Sequence, residues 1–354
     1  MYDFELLKKM IRLRPVSDDL QAVNDASDLM HEYLLSAGLY CKMEYVGDRK
    51  VLYAAATEET PDILFNAHLD VVNAELSQFE PVERDGWLFG RGCADCLGTA
   101  VLLAGLLKEC KGKAHIGVIF STDEEIGGAT TEAMVKRGYG AKKMAVVLDG
   151  GDFGTIITAQ KGTAVIRLKA SGKEGHSAYP WRSENAIDKI VYAYGKLRER
   201  WSEHTGKGWV ESMVPCIISG GSATNKVAGS AELKINIRYI EPGCIPQRIK
   251  EIEEMTGLEA ELISNCDVME TDRNVPELQI LKKSVEQVLE KECIFTTVCG
   301  ATDARFFAKN GLPVVIMNPD CADEHGPGEA VRLESLVQLE QILLQAIQKI
   351  SGQD

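Results

Sequence analysis

No stretch of this 354-residue chain stays apolar for the ~18 residues that a membrane-spanning helix needs. The opening residues, MYDFELLKKMIRLRP, lack the apolar core of a secretory leader, so a cytoplasmic location is expected. Positive charge is also short. Lys and Arg total 39 against 53 Asp and Glu, a net charge of −14. That balance excludes nucleic acid and anionic membranes as expected partners. Long repeats and low-complexity linkers are missing. Cysteine is not scarce, at 10 residues, but the chain is too long for a small disulfide scaffold. Most of these thiols are expected to be reduced, and many to be packing residues.

What is present reads as an ordinary globular protein, 45% hydrophobic and 26% charged. Its length suits roughly two domains at ~150 residues each. Positions 18–37 predict an amphipathic helix closed by Gly38, and DILFNA at 62–67 a strand. A small apolar helix follows at 98–110, then strands at 114–121 and 143–148 around a helix ending near Gly138. Strands alternating with helices predict an α/β fold with a mostly parallel sheet. From about Lys161 the texture changes. TAVIRLKASG, SMVPCIISGGSATN and GSAELKINIRYI alternate like antiparallel strands, with helices at 185–203 and 245–256. After Asp272 the α/β pattern returns, ending in a helix from Leu333. We therefore expect an α/β domain, residues 1–160 and 272–354, interrupted by an inserted α+β domain, residues 161–271.

In an open parallel sheet, ligands bind beyond the carboxyl ends of the strands. Those ends carry a consistent chemistry. His68-Leu69-Asp70 follows the first strand, Asp123-Glu124-Glu125 the next, Asp149 the third, and PVVIM leads through NPDCADE to His325. Histidine nitrogen and carboxylate oxygen are the donors that zinc and similar cations take. In extended chain, residues i and i+2 project to the same side. Asp70 is thus placed to accept a hydrogen bond from the non-liganding nitrogen of His68 and fix its tautomer. Between these lies GRGCADCLG. Gly90-x-Gly92 starts like a dinucleotide loop, but Asp95 stands where the third glycine belongs and would face pyrophosphate. Cys93 and Cys96 form a C-x-x-C at a helix start, which fits a redox pair or half a zinc site. No second C-x-x-C completes such a site, and Cys293 and Cys299 are spaced too widely. A third reading makes Asp95 a carboxylate offered from a glycine-rich turn.

Taken in order, NAHLDVV, GRGCADCLG, STDEEIGG, VLDGG, KEGHSAYP, NIRYIEP, GATDARFF and DEHGPGE span almost the whole chain. This series resembles the M20 family of metallopeptidases and amidohydrolases, which includes acetylornithine deacetylase, succinyl-diaminopimelate desuccinylase, aminoacylase and several dipeptidases. The resemblance implies a di-metal exopeptidase-like domain with an inserted lid and dimerisation domain. It implies two divalent cations, zinc with cobalt or manganese as substitutes. His68 and Asp149 would bind one, His325 and Glu125 the other, and Asp95 would bridge both. Glu124 would be the general base, with Asp70 behind His68, so the adjacent glutamates would divide ligand and base between them. His176 would polarise the substrate carbonyl, Arg238 would hold a carboxylate, and Asn225 and Thr302 would belong to the substrate shell. The implied substrate is a small N-acyl amino acid or short peptide with a free carboxylate. The motif flow leans towards a deacylase, with a dipeptidase or carboxypeptidase as the alternative. A homodimer through the inserted domain is implied, with its histidine entering the partner's active site.

The chain departs from the family pattern at three places. Leu97 stands where Lys is frequent, Cys93 and Cys96 flank the presumed bridging ligand, and Ala228 replaces a proline. Outside the family, a thiol redox protein using Cys93 and Cys96 and a non-catalytic binding protein remain as readings. His31, His115 and His204 read as structural. Thr302 also reads as a cap for the helix that follows it.

Overall fold

The computed structural model describes residues 2–202 and 208–352; His204 lies outside them. The chain divides into two units. The first comprises Met1–Ala159, Met269–Val298 and Thr302–Asp354; the second comprises Gln160–Val268 and Cys299–Ala301.

The first unit is built on a mixed nine-stranded sheet. Its centre is parallel: Ile63–His68 pairs with Ile116–Ser121 on one side and Met144–Val147 on the other, and Val314–Ile316 pairs beyond. These strands are short, almost continuously apolar and buried, as a sheet covered on both faces requires. An antiparallel hairpin, Tyr40–Val46 with Arg49–Ala55, extends one edge. The helix Leu97–Cys110 has 12 of its 14 residues buried. A helix that is apolar all round belongs inside. It shares the core with the amphipathic helix Leu333–Ile350. Each large aliphatic side chain buried there contributes about 1.5–3 kcal/mol, and truncating one such as Leu102 to Ala would cost about 2–5 kcal/mol. Among the described residues, no helix is long and apolar enough to cross a membrane.

The second unit is a four-stranded antiparallel sheet in the order Ser212–Gly220, Ser230–Tyr239, Gly162–Ser171, Glu259–Cys266. The register sets Leu233 opposite Leu168, Ile235 opposite Ile166 and Ile237 opposite Ala164. Because side chains alternate faces, this pairing collects the apolar set on one face. The helices Ala186–Arg200 and Ile245–Thr256 contribute to the same core. The outer strand Ser212–Gly220 has one edge unpaired among the described residues.

Candidate metal centre

Parallel strands end at the same rim, so the residues that follow them converge. His68, at the end of its strand, pairs in register with Ser121, and the chain after Ser121 turns at once into a short 3-10 segment, Glu124–Ile126. Asp149 follows the third strand by two residues. His68 is 2% exposed. Its Nδ1 lies 2.8 Å from the carbonyl oxygen of Asp70 and 3.4 Å from that residue's carboxylate. An Nδ1–H donated to the carbonyl leaves the Nε2 lone pair free, 2.8 Å from Asp95 Oδ1. The main-chain oxygen, rather than the expected side chain, is therefore the nearer partner of His68. The Asp70 carboxylate is engaged elsewhere. It accepts from Ser17 Oγ at 2.7 Å and from the backbone N–H groups of Glu124 and Glu125 at 3.1 and 3.3 Å. Asp70 thus joins the histidine to the glutamate turn.

Asp95 is presented from the turn that precedes the buried helix, next to a cis Asp95–Cys96 peptide. Glycine is required behind it: a Cβ on Gly98 would collide with the carbonyl oxygen of Cys93. Its two oxygens face opposite ways, Oδ1 to His68 and Oδ2 to His325 Nε2 at 2.9 Å. His325 Nε2 also lies 3.0 Å from Glu125 Oε1. Ligand atoms of His68, Asp95, Cys96 and Asp149 lie within 4.8 Å of one another, and so do those of Asp95, Glu125 and His325. Asp95 is common to both groups.

Four carboxylates meet two imidazoles here, and the electrostatics register the excess of negative charge. Burial, and then the charge of Asp95, push Asp149 up to about 8. Burial, followed by the charges of Asp149 and Asp303, pushes Glu124 well up. Hydrogen bonds to Asp95 and Glu125 push His325 up to about 10. A bound cation relieves such crowding, and imidazole nitrogen with carboxylate oxygen is a donor set that suits one. The residues present therefore fit a metal centre.

The thiols of the C-x-x-C are free and fully buried. Cys93 Sγ faces the carbonyl oxygen of Leu88 at 3.3 Å, and Cys96 Sγ that of Leu148 at 2.9 Å. Thr302 Oγ1 accepts the N–H of Ala304 at 3.2 Å, but the N-cap of that helix is Asp303, not the Thr302 expected from the sequence. His31 and His115 belong to neither ligand group.

Three residues went unread in the sequence. Arg305 places Nη1 3.8 Å from Glu124 Oε1 and donates to the carbonyl oxygens of Thr302 and Gly127. The other two are Arg91 and Glu329, a buried ion pair with Nη1 and Oε2 2.5 Å apart. Their only sequence signal is a charge inside each of two otherwise glycine-rich motifs.

The remaining predicted residues lie in the second unit. His176 is exposed, and its Nδ1 accepts the N–H of Ala178 at 3.0 Å. The ring proton of the neutral form is therefore on Nε2. The strand Gly175–His176 pairs with Lys226–Val227, and the carbonyl of Asn225 accepts from Ser177 N at 3.0 Å, so His176 and Asn225 are neighbours. Arg238 Nη1 is buried and has no hydrogen-bond partner among the described residues.

Comparison with known proteins agrees with this arrangement. The profile described as "Peptidase family M20/M25/M40" matches residues 64–349. A succinyl-diaminopimelate desuccinylase of Wolbachia pipientis wMel is 27% identical over 97% of this chain and 92% of its own length. The crystal structure of a tripeptidase from Staphylococcus aureus superposes with a TM-score of 0.81 at 18% identity, over 99% of this chain and 100% of that one. An M20 family metallo-carboxypeptidase from Sulfolobus solfataricus gives a TM-score of 0.79 at 14% identity, over 99% of this chain and 100% of that one. The profile covers most of the chain, the solved structures share its fold, and the rim carries donors for a cation: the protein belongs to peptidase family M20/M25/M40 and is a metal-dependent hydrolase.

Proposed function

We propose that the protein hydrolyses the amide bond of an N-acyl amino acid bearing a free carboxylate. The observation that carries this reading is Asp95, shared between two groups of histidine and carboxylate donors, with Glu124 beside them. His68, Asp95 and Asp149 would hold one divalent cation, and Asp95, Glu125 and His325 a second. The donor set suits zinc, with cobalt or manganese as substitutes. When bound, such ions acidify a water and polarise the amide carbonyl.

The chain's own residues do the rest. Glu124 takes the proton of the attacking water and delivers it to the leaving nitrogen. Its burial among carboxylates favours the protonated form it must hold between the two transfers. Asp70 keeps the His68 tautomer fixed and anchors the backbone of both glutamates. His176, with its proton on Nε2, donates to the carbonyl oxygen as negative charge builds there. Arg238 takes the substrate carboxylate, a role that suits a buried guanidinium nitrogen with no partner among the described residues. Asn225 and Thr302 complete the substrate shell.

The desuccinylase relative supports a deacylase over a peptidase. The second unit would serve as lid and as dimer interface. Its unpaired outer strand exposes Val214, Ile217 and Ile218, which supports pairing with a second copy of the chain.

The test is a hydrolysis screen of N-acetyl amino acids, N-succinyl amino acids and dipeptides in zinc or cobalt buffer, with a chelator control. Turnover of an N-acyl substrate that stops with chelator is expected. Cleavage of dipeptides alone would move the reading to a dipeptidase, and turnover indifferent to chelator would end it.

A further inference from the structure

Two buried charges beside the candidate ligands take no part in the chemistry above. Arg91 and Glu329 are each 2% exposed and lie 238 residues apart in the chain. Each has a second hydrogen-bonding edge beyond the ion pair, and each spends it on a ligand-bearing loop. Glu329 Oε1 accepts the backbone N–H groups of Ala94 and Asp95 at 3.1 and 3.2 Å. Arg91 Nη2 donates to the carbonyl oxygens of His325 and Gly326 at 2.9 and 3.1 Å. One ion pair therefore holds the turn that carries Asp95 against the loop that carries His325.

The two metal positions depend on this brace unequally. His68 stands at the end of a paired strand, and Asp149 lies two residues beyond one, so hydrogen-bonded sheet places both. His325 follows only a two-residue strand, Cys321–Ala322, which pairs with Ala330 and Val331 rather than with the buried parallel sheet. It sits in a loop at φ +63°, in the left-handed region that a side chain disfavours, so the surroundings must hold it there. Asp95 is shared, but asymmetrically: Oδ1 faces the well-supported His68, whereas Oδ2 faces His325. Loosening the brace frees the second relation while leaving the first in place.

We infer that Arg91 and Glu329 are positioning residues for the metal position made by Asp95, Glu125 and His325, and set its affinity separately from that of the position made by His68, Asp95 and Asp149. This inference rests on the two-cation reading. A purely structural ion pair would lower stability without distinguishing the two positions. Outer partners that orient metal-liganding groups typically change metal affinity by about 10–100-fold when altered.

Two conservative variants test it in the full-length chain. Arg91→Lys keeps the charge but loses the fork that reaches Glu329 and both carbonyls at once. Glu329→Gln keeps an oxygen for the Ala94 and Asp95 N–H groups but turns an amide donor towards Arg91. Each protein is dialysed against a series of buffered free-zinc concentrations. Bound zinc per chain is measured, with far-UV circular dichroism to verify the fold and His325→Ala as the reference. Wild type is expected to bind two ions. Both variants should keep one ion at wild-type affinity and bind the other, the one that His325→Ala loses, about 10–100-fold less well. Raising free zinc should restore the kcat of Arg91→Lys. Equal weakening of both positions, or no weakening while His325→Ala loses one ion, overturns the inference and leaves the two-cation reading standing. Fewer than two ions in wild type, or two retained in His325→Ala, overturns both.

Discussion

Glu124 and Glu125 are chain neighbours with different partners. Glu125 lies 3.0 Å from His325 Nε2, within the candidate ligand group, whereas Glu124 Oε1 faces the Arg305 guanidinium at 3.8 Å. A carboxylate that coordinates and one that moves protons should respond differently to deletion. Glu124→Ala is expected to retain its bound metal while kcat falls by ~10²–10⁴. Glu125→Ala should instead lose metal, and metal analysis of the two purified variants checks the assignment. Loss of both ions from Glu124→Ala would mean that the roles are exchanged. The thiols separate in the same way. Cys93 and Cys96 are fully buried, and burial pushes both well up, while Cys216 and Cys299 are exposed. The thiolate is the reactive species, so buried thiols of raised pKa are inert. Brief alkylation of the native protein should label Cys216 and Cys299 and spare Cys93 and Cys96. Peptide mapping reads this directly, and rapid labelling of Cys93 or Cys96 would revive the redox reading.

The strand Ser212–Gly220 exposes Val214, Ile217 and Ile218 by 55–63% along an edge whose backbone is unpaired among the described residues. Such an edge is a pairing surface unless charge blunts it. If the chain dimerises through this edge, Ile218→Lys is expected to convert a dimer to a monomer in light scattering with little change in melting temperature; an unchanged mass would rule this edge out as the interface. The strands Gly162–Ser171 and Ser230–Tyr239 of the same sheet were legible in the sequence because alternation over eight or more residues is a strong signal. The continuously apolar central strands and the helix Leu97–Cys110 were legible for the complementary reason, full burial. The hairpin Tyr40–Ala55 was missed because its outer strand carries Lys42 and Glu44 and is buried on neither face. Three-residue strands such as Val82–Arg84, Trp87–Phe89 and Ala330–Arg332 are too short to show a period at all. The metal rim was readable because each donor follows an apolar strand or a named motif. Arg91 and Glu329 were not, since no local pattern joins charges 238 residues apart.

Over the whole molecule, a net charge of −14 surrounds a rim already crowded with carboxylates. A ligand that binds only the folded state stabilises it in proportion to RT ln(1 + [L]/Kd). Chelator should therefore lower the melting temperature as well as stop turnover, and the melting temperature should climb again as free zinc is raised. A melting temperature indifferent to chelator would count against a resident metal. Complementation tests whether His176 acts across subunits. Glu124→Ala and His176→Ala should each be nearly inactive alone. If the histidine acts across a symmetric dimer, equal mixtures after subunit exchange should recover about a quarter of wild-type activity, because half the dimers are mixed and half their sites are whole. No recovery with mixed dimers demonstrated would confine His176 to its own chain. The order in which the chain is made adds a further consequence. Domains generally fold as units while synthesis proceeds. Residues 160–268 form nearly all of the second unit as one continuous run, whereas the first closes only with the segment that returns after Met269. The second unit can thus be complete while the first still lacks His325, Glu329 and the helix that covers its core. A nascent chain then holds a finished second unit before it holds a finished metal rim.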